Sequence, residues 1–247
     1  MIPIYNLDKI KFTTDAPTFE KAIVLYEGGK VTQFAEEGEI FSAVVLGTSP
    51  YRVWVSAKRY DSAHCDCYLG QNDTLCKHMV AVAIRAITGG KPLSDDDKQN
   101  YSEPKCSGRR GEVSPDELAL VKKGITDALR YIKPYRGPSR IWFSYQNTLS
   151  EGCNRLSKIV SELPVSQQTA QILVELLLRL DEKLCRGGVD DSDGTVGDFM
   201  QGVVQVLEEG AKVDPSCINA FHTLVGRSTA FGWEESLVKL VQTVEKT

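Results

Sequence analysis

Metal chemistry is written into four residues of this chain, Cys65, Cys67, Cys76 and His78, which follow the pattern C-x-C-x8-C-x-H. Thiolate sulfur and imidazole nitrogen are soft donors that favour zinc over hard cations, and four of them complete the tetrahedron zinc prefers. A catalytic zinc keeps one position open for water or substrate, whereas this set closes all four. One structural Zn2+ is therefore the expected cofactor. His64 adjoins Cys65, but the tetrahedron closes without it and neighbouring residues rarely ligate one ion, so it is placed outside the ligand set.

The spacing sets conditions on the elements that hold the ligands. A single residue between Cys65 and Cys67 suits a strand end or tight turn, where side chains two apart face the same way. Cys76 and His78 suit the start of a helix, whose unpaired N–H groups favour thiolate over thiol. Upstream, Ala22–Tyr26, Val31–Ala35, Ile40–Leu46 and Tyr51–Ala57 read as short strands separated by turn residues, with Glu27-Gly28-Gly29-Lys30 as a hairpin turn. Tyr51, Val53 and Val55 share one buried face, and Trp54 is expected to be buried on the other. Downstream, Leu75, Met79, Val82, Ala83, Ala86 and Ile87 recur at helical steps until Gly89-Gly90 stops them.

These residues resemble the SWIM zinc finger, whose signature is C-x-C, a variable spacer, then C-x-H. Gly29-Lys30-Val31, Tyr51-Arg52-Val53 and Cys76-Lys77-His78-Met79 all look like that family, and the likeness covers roughly residues 17 to 90. The resemblance implies a ββα zinc fold. It also implies the settings in which such modules occur: bacterial helicase-like ATPases, transposases and recombination accessory factors, with roles in DNA binding and protein–protein contacts.

From Ser114 onward the sequence reads as helices. Ser114-Pro115-Asp116-Glu117 is a capping box with proline at the first helical position, and Leu118, Val121, Ile125, Leu129 and Ile132 follow on one face. Trp142, Tyr145, Leu149, Gly152, Leu156, Ile159 and Leu163 trace a second helix that Pro164 ends. A third runs from about Ser166 to Arg186, a fourth begins after Asp193-Gly194, a fifth after Asp214-Pro215 and the last after Gly232. The fold class expected is α+β: a small ββα zinc domain at 1–90, a polar linker at 91–113, and an all-α bundle or helical array at 114–247. The helical half is similar to the extensions that follow SWIM modules in some bacterial proteins, notably around Asp190-Asp191-Ser192-Asp193-Gly194.

Other clusters carry less. Cys106, Cys153, Cys185 and Cys217 lack metal-ligand spacing and read as helix-core cysteines, and the 32-residue intervals among the last three are not matched by aligned flanks. Asp191-x-Asp193-Gly194 lacks the closing glutamate of a calcium loop and reads as a helix start. His222 reads as a core or boundary histidine.

Composition narrows the function. The net charge is −4, and residues 1–113 carry 14 Lys/Arg against 15 Asp/Glu, so no general basic excess marks a nucleic-acid protein. The window Lys105–Arg140 is the exception, with nine basic residues against four acidic. Lys58, Arg59, Lys105, Arg109 and Arg110 are the candidate nucleic-acid contacts. Pro3 and Asp8 interrupt any signal-peptide core and no stretch approaches a membrane span, so a cytoplasmic protein without membrane contact is expected. No nucleotide-binding, metalloprotease or nucleophile-elbow motif occurs, so an enzyme is not expected. What remains is a zinc-binding adaptor for protein partners in a nucleic-acid-associated complex, an ATPase or nuclease encoded elsewhere being a candidate partner. The alternative is direct DNA binding through the zinc module and the basic window 105–140.

Overall fold

A computed structural model describes residues 2–137 and 142–244. The chain divides into two compact units, Met1–Asn100 and Tyr101–Thr247, so the class is α+β with the sheet confined to the first.

The first unit opens with two helices. α1 spans Leu7–Thr13, with the Asn6 side chain accepting from the Lys9 N–H, and α2 spans Ala16–Glu27, with Asp15 accepting from the Thr18 N–H. α2 corrects the strand expected at Ala22–Tyr26. That run carries the β-branched Ile23 and Val24 and the aromatic Tyr26, but Phe19, Ala22, Ile23 and Tyr26 lie at three and four residue steps, and all four are buried. The Glu27–Lys30 segment is accordingly the end of a helix and not a hairpin, with the Lys30 N–H bonded to the Leu25 carbonyl and Gly29 at φ +64°.

Four strands follow, β1 (Val31–Glu37), β2 (Ile40–Leu46), β3 (Pro50–Ser56) and β4 (Ala63–Cys65), in antiparallel order β1-β2-β3-β4. β1 carries an irregularity between Thr32 and Ala35, where Gln33 takes φ +51°. In β3, Val53 and Val55 point into the core as expected. Trp54 corrects its reading: it lies on the open face, 39% exposed, with its ring 5.7 Å from that of His64, its partner across the β3–β4 pair.

After β4 come α3 (Tyr68–Gln71), α4 (Lys77–Thr88) and α5 (Asp95–Lys98). α4 packs on the sheet through β3 and β2 while α2 and α1 cover its other side. Every residue from His78 to Ile84 is therefore buried, where a single apolar stripe was expected. The ββα core thus carries an additional helical layer. Residues after α4 return to α2: the Tyr26 hydroxyl meets Thr88 Oγ1 and the Lys91 carbonyl at 2.5 Å each, and Glu27 accepts from the Leu93 N–H and pairs with Lys98.

In the second unit, residues 101–111 bond along α7 and the segment after it. The Lys105 N–H donates to Ser161 Oγ, Ser107 Oγ to the Leu163 carbonyl, and Arg110 bridges Val165 in parallel. The helices are α6 (Pro115–Ala128), α7 (Trp142–Glu162), α8 (Gln167–Cys185), α9 (Thr195–Val213), a 3-10 stretch at Pro215–Leu224 and α10 (Glu235–Val244). The Ser114–Glu117 capping box forms, and Asp191 accepts from the Val196 and Gly197 N–H groups to start α9. Leu149, Leu156, Leu176, Leu177, Leu180 and Phe221 form the centre of one core. No helix among the described residues is long and apolar enough to cross a membrane.

Phe19, 1% exposed, ties α2 into the core of the first unit, whereas Val24 on the same helix faces solvent. Phe19→Ala is expected to destabilise this unit by about 3–5 kcal/mol and Val24→Ala by less than about 0.5 kcal/mol, read from urea unfolding of the zinc-loaded protein.

Candidate metal centre

Three chain segments converge on the metal cluster. Cys65 ends β4, whose pairing with β3 runs on past it: the Asp66 N–H donates to the Arg52 carbonyl and the Asp66 carboxylate accepts from the Arg52 N–H. Cys67 caps the N-terminus of α3. Cys76 stands in extended conformation at the N-cap of α4, and His78 is the second residue of that helix.

All four residues are buried and their ligand atoms lie within 4.8 Å of one another. Cys65 Sγ and Cys76 Sγ are each 3.7 Å from His78 Nδ1. A tetrahedron with Zn–S of ~2.3 Å and Zn–N of ~2.0 Å has S···N edges of about 3.5 Å, so these separations suit donors around one ion better than direct hydrogen bonds. Nδ1 is the nitrogen turned to the thiols, so an ion bound by it would leave the proton on Nε2. Nε2 is buried without a hydrogen-bond partner, and the Tyr51 ring stacks on the imidazole with centroids 4.5 Å apart.

The backbone prepares the sulfurs for negative charge. The Cys67 N–H points at Cys65 Sγ (3.5 Å), the Gly70 N–H at Cys67 Sγ (3.4 Å) and the Met79 N–H at Cys76 Sγ. Cys65 is pushed up by its hydrogen bond with Cys76 and by burial, while Cys76 is pulled down to about 4, chiefly by the hydrogen bond from Cys65. A divalent cation bound here would ionise all three thiols. The donor set, its burial and its spacing suit zinc, which would supply structural cross-linking through these four residues and no open coordination position.

Residues 51–87 match the family model of the SWIM zinc finger. The match runs from β3 into the last turn of α4, so it contains all four ligands and the Tyr51 ring. The comparisons with curated proteins and with solved structures returned no match.

Two glycines of the SWIM neighbourhood escape a ligand-spacing argument. At Gly70 an added Cβ would lie 2.2 Å from the Cys65 carbonyl oxygen, so α3 can approach β4 only without a side chain there. At Gly47 it would sit 3.0 Å from the Tyr51 ring and 3.2 Å from His78 Nε2. Both are consequences of close approach in space, and neither has a local sequence signal.

The other candidate residues are not gathered at the SWIM cluster. Lys58 pairs with Glu39 at 2.6 Å and Arg59 with Asp61 at 2.8 Å in the first unit. Arg109 donates to the Glu162 carbonyl and Arg110 to that of Val213 in the second unit, where Lys105 is also placed. Arg140, which closes the basic window, lies outside the described residues. Cys153 and Cys217 are buried and Cys106 is half-buried, but Cys185 is exposed, and His222 is exposed as well, against expectation for both. Cys153 lies within α7, Cys185 ends α8 and Cys217 sits in the 3-10 stretch, so their equal spacing does not mark equivalent positions.

One zinc per chain is expected by elemental analysis of freshly purified reduced protein, with sharp loss in Cys67→Ser and His78→Ala. Gly70→Ala, which removes no ligand, is expected to lower zinc content as well. Full zinc in Gly70→Ala would show that the close approach to Cys65 does not govern the site.

Proposed function

We propose that this chain is a non-catalytic adaptor, in which the zinc centre holds the shape of the N-terminal unit and protein surfaces, not a nucleic-acid groove, make the contacts that matter. The closed ligand set supports the non-catalytic reading, since a structural zinc of this kind offers no position for substrate. The observation that carries the adaptor reading is the disposition of the five basic candidates.

They are divided between the two units, two in the first and three in the second. Lys58 and Arg59 each stand against a carboxylate, Arg110 lies beside Asp214, and the guanidinium groups of Arg109 and Arg110 are directed at backbone carbonyls. Affinity for a phosphate backbone grows with the number of cations that displace counterions, at a slope of about 0.9 per contact on log axes. About two to four such contacts support only weak, salt-sensitive association. A nucleic-acid-associated complex remains the proposed setting, on the strength of the SWIM match, with DNA held mainly by a partner.

Anisotropy titrations with single- and double-stranded DNA test this ordering. Binding is expected at low salt, without sequence preference, fading near ~150 mM salt with a log–log slope of roughly −2 to −4 and weakening in Arg109→Glu/Arg110→Glu. Sub-micromolar affinity at ~150 mM salt that disappears on chelation would make the SWIM module a direct DNA reader instead.

A further inference from the structure

Away from the metal, the helical unit contains a cleft of about 370 Å3 between α8 and the segment that follows the 3-10 stretch. Three guanidinium groups line it, those of Arg179, Arg186 and Arg227. Arg179 lies on α8 and Arg186 is the residue that caps its C-terminus, seven residues or about two turns further on, roughly 10 Å along the axis. Arg227 enters from the facing segment, with Nε donating to the Thr223 carbonyl at 2.8 Å and its terminal nitrogens left over. Arg179 reaches one hydroxyl, Thr126 Oγ1, at 3.5 Å. Among the described residues none of the three forms an ion pair, and all three are exposed.

The acidic residues of the cleft do not discharge this excess. Asp181 Oδ1 accepts from the Ala230 N–H (2.7 Å) and from Trp233 Nε1 (3.1 Å), which braces the 226–233 segment against α8. Glu182 is the other acid, so three cations face two carboxylates, one of them already engaged. Neutralising carbonyls at a helix end would account for Arg186 and Arg227, but Arg179 stands well inside α8. In the same 226–233 segment, one residue after the Ala230 that Asp181 holds, Phe231 is 84% exposed and takes φ +62°, a left-handed conformation unusual for a bulky residue. Arginine and exposed aromatic side chains together are the composition of interface hot spots.

We propose that this cleft is the docking site for an acidic segment of a partner protein, whose carboxylates pair with Arg179, Arg186 and Arg227 while an apolar residue packs on Phe231. The proposal rests on the adaptor reading and locates its contact surface. Planar carboxylates match guanidinium forks two oxygens at a time, and a peptide side chain carries them far enough from its backbone to reach Arg179, Arg186 and Arg227 beside Asp181 and Glu182.

Cys185 lines the same cleft and is exposed, so its alkylation reports occupancy. The test uses the zinc-loaded full chain, labelled poly-L-glutamate, an oligothymidylate of matched charge, and N-ethylmaleimide modification of Cys185 followed by mass spectrometry. Poly-L-glutamate is expected to bind and to slow Cys185 modification several-fold. Arg186→Glu/Arg227→Glu, at exposed positions with circular dichroism unchanged, should weaken binding at least tenfold, and Phe231→Ala by less. Binding that leaves Cys185 unprotected, no binding at all, or indifference to the charge reversal would overturn the cleft assignment and leave the adaptor reading standing. Stronger protection by the oligothymidylate would overturn both.

Discussion

Three cysteine sulfurs and one imidazole nitrogen lie buried within 4.8 Å of one another, and as thiolates with no cation among them the sulfurs would repel one another strongly. A cation among them removes the conflict, since it ionises the thiols and turns their mutual repulsion into shared attraction. The N-terminal unit is built around that requirement. Its ligands come from the end of the last strand, the cap of a one-turn helix and the first turn of α4, so the metal joins segments whose pairing is otherwise slight. β4 is three residues long and α3 four, too short to hold position by their own hydrogen bonds.

What the metal joins, hydrophobic burial then exploits. With its first turn anchored by Cys76 and His78, α4 lies between the sheet and α1 and α2 and buries seven consecutive residues. The other face of the sheet is left open, where the Trp54 ring lies tilted against that of His64, the residue just before the first ligand. The metal centre is therefore continuous both with the core, through Met79 and Val80, and with an exposed surface, through His64. The second unit has a separate core of leucine, valine and aromatic side chains with its own capped helices.

The ligand set was legible in the sequence because zinc chemistry restricts both residue type and spacing, and a strict local pattern survives without knowledge of the fold. The helices after Ser114 were legible for a similar reason: serine caps, prolines at first positions and terminal glycines are short-range signals. α2 was not read correctly because its β-branched and aromatic run beside Gly28-Gly29 imitates a strand, although the Asp15 cap and the Phe19, Ala22, Ile23, Tyr26 spacing mark a helix. The burial of α4 on both sides could not be read from α4 alone, since it depends on the helices that cover it. Gly70 and Gly47 were silent because the atoms they must avoid belong to residues met only after folding. Residues 91–113 read as a polar linker because they lack any apolar period, and their bonds to Glu27, Ser161 and Leu163 are to partners that no local pattern reveals.

The account depends on the metal being held by these four side chains with no water in the first coordination sphere. X-ray absorption at the zinc edge measures that directly on the purified full chain. Three sulfurs at ~2.3 Å and one nitrogen at ~2.0 Å, with an imidazole scattering pattern and no additional light-atom shell, is the predicted result. A shell with two sulfurs and exchangeable oxygen would contradict it, because it would leave a thiol outside the centre and an open coordination position on the metal.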